Sequence, residues 1–101
     1  MSLNGYVDIE IENKDGASNP EELRIPGKEF SWEEGGEHDS SFLFIYFDAE
    51  DRFRILVEFS TEENRLFNWS VGIRDASVNV EIIEDALEVP DRFFNYDLDD
   101  F

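Results

Sequence analysis

Apolar and polar residues alternate one by one along much of this chain, and that period of two most restricts its fold. From Tyr6 to Glu12, Val7, Ile9 and Ile11 share one side while Asp8, Glu10 and Glu12 share the other. Side chains take opposite faces in turn only along an extended backbone, so the pattern predicts a half-buried strand. The same alternation recurs with Phe53, Ile55, Val57 and Phe59, then with Phe67, Trp69, Val71 and Ile73, and again with Val78, Val80 and Ile82. Phe42-Leu43-Phe44-Ile45-Tyr46-Phe47 is apolar throughout, the pattern of a strand covered on both faces. Asp48 to Asp51, Thr61 to Asn64 and Arg74 to Ser77 supply polar turns between these runs. Strands at roughly ten-residue spacing joined by such turns predict a mainly β fold, an antiparallel meander of about five to six strands. The Tyr6 strand completes it at an edge or in a second sheet, the latter making a small sandwich.

Helix is expected only as short turns. Asn19-Pro20-Glu21-Glu22 reads as a cap followed by one helical turn, and Glu84 to Pro90 as another stopped by proline. A short strand from Lys28 to Glu33 sets Phe30 and Trp32 on one face. One contiguous buried set should hold Val7, Ile9, Ile11, Phe53, Ile55, Val57, Phe59, Phe67, Trp69, Val71, Val78, Val80 and Ile82. Phe44 and Tyr46, or their neighbours Leu43 and Ile45, should join it. No repeat or linker divides the chain, so residues 1–101 read as one acidic β domain, with 91–101 as an aromatic-acidic C-terminal segment.

Charge narrows the partners. Twenty-six acids against eight bases leave a formal net charge of −18, yet aromatics make up 15% of the chain, enough to build a core. Such a surface repels phosphates and anionic lipid, which argues against direct nucleic-acid or membrane binding. It attracts basic proteins and steers their approach. The plainer account is that the charge only keeps a small protein soluble. No cysteine is present, so disulfides and thiolate metal sites are excluded. The start, Met1-Ser2-Leu3-Asn4-Gly5-Tyr6, does not read as a signal peptide, and a cytoplasmic location is expected.

The residues that carry chemistry are sparse. Nucleophilic catalysis wants Ser, Thr or Cys beside a base, and the only histidine, His38, lies among carboxylates that favour its protonated form. No enzyme, cofactor or dedicated metal site is expected; Asp97, Asp99 and Asp100 lack the glycine and closing glutamate of a calcium loop. An interface fits better. Interfaces concentrate energy in a few large aromatics ringed by polar groups. Phe94, Tyr96 and Phe101, interleaved with Asp91, Asp97, Asp99 and Asp100, match that description against a basic protein. Glu33, Glu34, Glu37 and Asp39, in an acidic glycine-bearing loop, form a second candidate. The competing account is that these aromatics, with Phe93, pack over an open edge or end of the sheet while the acids are merely solvated.

A small acidic β domain with an aromatic-acidic tail resembles the bacterial immunity proteins, which neutralise nuclease colicins and contact-dependent growth inhibition toxins. The likeness is one of overall character. It implies a cytoplasmic inhibitor that covers a basic, RNA-facing active site, with carboxylates standing in for substrate phosphates. Two other readings stay open. One is an acidic nucleic-acid mimic or adaptor for a basic host protein; the other is a carbohydrate- or calcium-binding β module using Trp32 or Trp69.

Overall fold

The computed structural model describes residues 3–16, 19–34, 41–60 and 65–88, without the side chains of 34, 65 and 67. Seven strands follow in order: β1 (Tyr6–Asn13), β2 (Glu21–Pro26), β3 (Ser31–Glu34), β4 (Ser41–Phe47), β5 (Phe53–Ser60), β6 (Arg65–Ile73) and β7 (Val78–Asp85). A single 3-10 turn, Gly27–Glu29, is the sole helical element among the described residues. The strands form two antiparallel sheets, one ordered β2-β1-β7 and the other β3-β4-β5-β6. The mainly β expectation is met, with seven strands among the described residues where about five to six were expected.

The inner faces of both sheets meet in one core. Val7, Ile9 and Ile11 of β1, Ile25 of β2, and Val78 and Val80 of β7 come from the smaller sheet. Phe42 and Phe44 of β4 and Phe53, Ile55, Val57 and Phe59 of β5 come from the larger one. Leu3 and Phe30 close the ends. Burying each such side chain contributes about 1.5–3 kcal/mol against leaving it in water. Alternation thus assigned the inward faces of β1, β5 and β7 correctly, and Val71, Ile82 and Tyr46 pack half-buried against the core.

Three expectations about the bounds and type of short elements need correction. Glu21 and Glu22 begin a strand and no helical turn: β2 lies antiparallel to β1 with Ile25 opposite Val7 and Leu23 opposite Ile9. Only two inward apolar residues mark it, so its period is too short to read locally. Glu84 and Asp85 extend β7, and Glu88 pairs with Asn4, where a helical turn was expected. Lys28 lies in the 3-10 turn, and β3 starts at Ser31.

Edge position overrides alternation in β6. Trp69, Val71 and Ile73 stand opposite buried Val57, Ile55 and Phe53, so they do face inward. The strand closes one side of its sheet, however, and Trp69 stays 46% and Ile73 43% exposed. The register also shifts between Glu58 and Phe59, placing Leu66 opposite Phe59 and Asn68 opposite Glu58. That bulge puts Leu66 in the inward row; the side chain of Phe67 lies outside the described residues. Nor is β4 covered on both faces along its length. Leu43 and Ile45 are half-buried on the outer side, and Phe47 is 52% exposed.

The turns follow their chemistry. Asp51 takes a left-handed backbone (φ 58°) after β4, its N–H donating to the Asp48 carbonyl at 2.9 Å. Aspartate tolerates that conformation better than most residues. Between β6 and β7, the backbone N–H and hydroxyl of Ser77 donate to Asp75 Oδ1 at 2.9 and 2.7 Å.

Candidate functional site

Pairing of β1 with β2 and β7 builds a surface that no single stretch of sequence displays. The outward residues of β1 are Tyr6, Asp8, Glu10 and Glu12. Glu10 stands directly opposite Glu22 on one side and Glu81 on the other, so three carboxylates run in a row across the sheet. Glu12 adds a fourth beside them. Like charges placed opposite one another weaken a sheet. The Glu10 carboxyl titrates above the usual range. Its hydrogen bond with Glu12 is the main cause, followed by lost solvation and then the charges of Glu12, Glu22 and Glu81.

The other end of this face is neutralised. Arg24 grips Asp8 with two bonds, Nε to Oδ1 at 2.8 Å and Nη2 to Oδ2 at 2.9 Å, while its guanidinium lies 3.9 Å from the centre of the Tyr6 ring. Tyr6 donates its hydroxyl to Glu84 Oε1 at 3.2 Å. The bond from Arg24 holds Asp8 below the usual carboxylate range. A shallow depression of about 240 Å³ lies here, lined by Asp8, Ile9, Glu22, Leu23, Arg24 and Ile83. Ile83 reaches this face because β7 carries an extra residue opposite the Asp8–Ile9 step. It remains 49% exposed, an apolar spot within the acidic surface.

The remaining described ion pairs are structural clasps. Asp48, buried at the β4–β5 turn, accepts from Arg52 Nε at 2.9 Å and Nη2 at 3.3 Å. Glu50 and Glu21 approach the same guanidinium at 3.4 and 3.6 Å. Arg74 pairs with Asp51. Arg24, Arg52 and Arg74 are therefore each engaged by an aspartate, and none of these pairs touches the Glu10–Glu22–Glu81 row.

These groups impose opposite signs on the pH dependence of stability. Hydrogen bonding from Arg52 holds Asp48 low, and bonding from Ser77 does the same to Asp75. Such depressed groups contribute stability above the unfolded aspartate value of about 3.9 and lose it as pH falls through their folded values. Glu10 is raised, so it contributes below about 4.3 and that contribution is lost as pH rises through its folded value. Melting temperature should therefore rise on acidification from neutrality, then fall steeply below about pH 4. Glu10→Gln should raise the neutral melting temperature and flatten the first limb. Arg52→Ala should cost about 1.5–3 kcal/mol and weaken the second. Thermal melts across the pH range check both limbs. A profile falling monotonically from pH 7 would refute a Glu10 carboxyl raised in the folded state.

Asp91, Phe94, Tyr96, Asp97, Asp99, Asp100 and Phe101, with Glu37 and Asp39, lie outside the described residues. Glu33 is exposed on β3 opposite Leu43, and Glu34 ends that strand opposite Phe42, so both belong to an edge strand and not to a loop. The acidic row was half-visible beforehand, since Asp8, Glu10 and Glu12 alternate along β1. Its other half needs the registry of β2 and β7. Among the described residues no His, Cys, Asp or Glu group is placed to hold a metal ion, and no helix is long and apolar enough to cross a membrane. Comparison with known families, characterised proteins and solved structures finds no match to this chain.

Proposed function

We propose that this protein is a stoichiometric inhibitor of the immunity type, binding and blocking a basic, nuclease-like partner. The observation that carries this reading is the Glu22–Glu10–Glu81 row. The sheet holds three carboxylates side by side, with the nearby arginine committed to Asp8. A basic cleft built for a phosphate backbone would relieve that repulsion on binding and gain strongly from the charge match. The acidic-aromatic residues Asp91 to Phe101 offer Phe94, Tyr96 and Phe101 as candidate anchors for the same kind of partner.

A tagged full-length chain used as bait in a lysate of its native organism provides the test. The expected prey is a basic protein that cleaves nucleic acid and is silenced at one-to-one stoichiometry. The combined variant Glu10→Gln, Glu22→Gln, Glu81→Gln should slow association and flatten its salt dependence. Tyr96→Ala or Phe101→Ala should instead speed dissociation, by about five- to 150-fold if either is a hot spot worth 1–3 kcal/mol. A basic prey without nuclease activity would favour the nucleic-acid mimic or adaptor. Unchanged kinetics in both sets of variants would exclude both surfaces.

A further inference from the structure

Beside the carboxylate row, the outward face of the β2-β1-β7 sheet is dented. The depression of about 240 Å³ has Ile83 of β7 on one side, Glu22 and Arg24 of β2 on the other, and Asp8 and Ile9 of β1 between them. Its two sides differ in chemistry. On the β7 side, the register shift opposite the Asp8–Ile9 step adds one residue, and Ile83 and Glu84 both reach the outward face. Bulges of this kind re-aim single side chains and recur beside functional sites. Ile83 is left 49% exposed among charged neighbours. On the β2 side, Glu22 lines the depression and also ends the row with Glu10 and Glu81. No cation among the described residues pairs with any of these three carboxylates. The strands that carry the aliphatic side and the carboxylate side flank β1 and so lie roughly 10 Å apart.

From this arrangement we infer that the depression is a socket for one arginine side chain of the basic partner, its methylenes on Ile83 and its guanidinium on Glu22. The socket rests on the inhibitor reading for the source of that arginine, and adds to it the contact that orients the partner. Other occupants each meet an obstacle. Pockets for small-molecule ligands run about 300–1,000 Å³ and enclose most of the ligand; this depression is smaller and shallow. An apolar side chain would strip water from Asp8, Glu22 and Arg24 and offer them no hydrogen bond. An anion would face Glu22, Glu10, Glu81 and Glu84 against a single base, Arg24, which Asp8 already holds through two bonds. Among the described residues no group of acids is placed to hold a bare metal ion. A long cationic side chain meets none of these objections, because it buries an aliphatic stem and keeps its charge at the tip. Arginine suits the site better than lysine. Its planar fork engages a carboxylate through two parallel N–H bonds, as Arg24 does with Asp8 alongside, and it is more weakly hydrated.

Nuclear magnetic resonance titration of the full chain with the peptide acetyl-Gly-Arg-Gly-amide tests the socket without any partner protein. The same peptide with neutral citrulline in place of arginine is the control. Saturating shifts are expected at the backbone amides of Leu23, Arg24 and Ile83 and at the Ile83 methyl groups, with the arginine peptide alone. Ile83→Ala and Glu22→Gln should each raise the dissociation constant of that peptide by roughly two- to fivefold. Both residues are exposed, so neither change should lower the melting temperature appreciably. Glu33→Gln, on the other sheet, should leave the affinity unchanged. Shifts spread over the acidic surface with no maximum at Ile83 would overturn the socket. So would an equal response to the citrulline peptide or to its lysine counterpart, or an affinity indifferent to both folded variants. The capture experiment decides the inhibitor reading separately. Arginine-peptide binding at Ile83 in a chain that captures no basic nuclease would leave the socket standing and overturn the inhibitor role. A captured nuclease bound equally well by the Ile83→Ala and Glu22→Gln variants would do the reverse.

Discussion

Replacing Phe44 by alanine is expected to bring the protein to the brink of unfolding. Phe44 is fully buried at the centre of β4, flanked by β3 and β5 with Trp32 and Val57 opposite. Its ring belongs to the cluster that joins the two sheets. Phenylalanine-to-alanine changes in such sites cost about 3–5 kcal/mol, from lost transfer energy plus the cavity left behind. A domain of this size has only about 5–15 kcal/mol of stability in total. Each kcal/mol lowers the melting temperature of a domain near 100 residues by roughly 4–8 °C, so a drop of about 12 °C or more is expected. Denaturant titration of both proteins measures it. A loss below about 1 kcal/mol would mean that the sheets do not pack through Phe44. Phe47→Ala, on the same strand but half-exposed on the outer side, serves as the control and should cost far less.

Gly5→Ala should be comparably damaging for a different reason. The N-terminal segment threads between the 3-10 turn and the end of β7. The Gly27 N–H donates to the Gly5 carbonyl at 2.8 Å, and Asn4 and Glu88 exchange backbone bonds of 2.7 and 3.0 Å. Gly5 has φ of +85°, and a Cβ there would lie 2.0 Å from the Ala86 carbonyl oxygen. Backbone strain of this kind costs a residue with a side chain about 1–3 kcal/mol. Relieving the overlap must additionally move backbone, breaking the Asn4–Glu88 pair or the Ala86 N–H bond to the Tyr6 carbonyl. Gly16→Ala provides the comparison. Its φ is also positive, at +70°, but nothing lies within 4 Å of the added Cβ, so only the backbone strain should appear. Equal losses at the two positions would show that the N-terminal segment is not clamped.

Both variants bear on the acidic surface, because the clamp and the core hold β1 between β2 and β7. If β1 shifts by one residue, its inward and outward rows exchange, and Glu10 no longer stands between Glu22 and Glu81. Variants that loosen the core should therefore weaken partner binding without touching a contact residue.

Local chemistry was enough to write the inner rows of β1, β5 and β7 and the turns at Asp48–Asp51 and Arg74–Ser77. Alternation is a property of an extended chain, and aspartate and serine close turns with their own side chains, so neither depends on distant residues. The order of strands was not legible. Val78 to Ile82 reads as the next strand of one meander, yet β7 crosses to pair with β1 in the other sheet. Nothing within either segment distinguishes those partners, since pairing depends on the whole core. Trp69 and Ile73 have the right parity for burial but lie on an edge strand, and the number of neighbouring strands is a tertiary fact. The carboxylate row divides in the same way. Sequence alone determined that Asp8, Glu10 and Glu12 share a face; only the sheet brought Glu22 and Glu81 alongside Glu10, because cross-strand registry places residues far apart in the chain within one another's electrostatic reach.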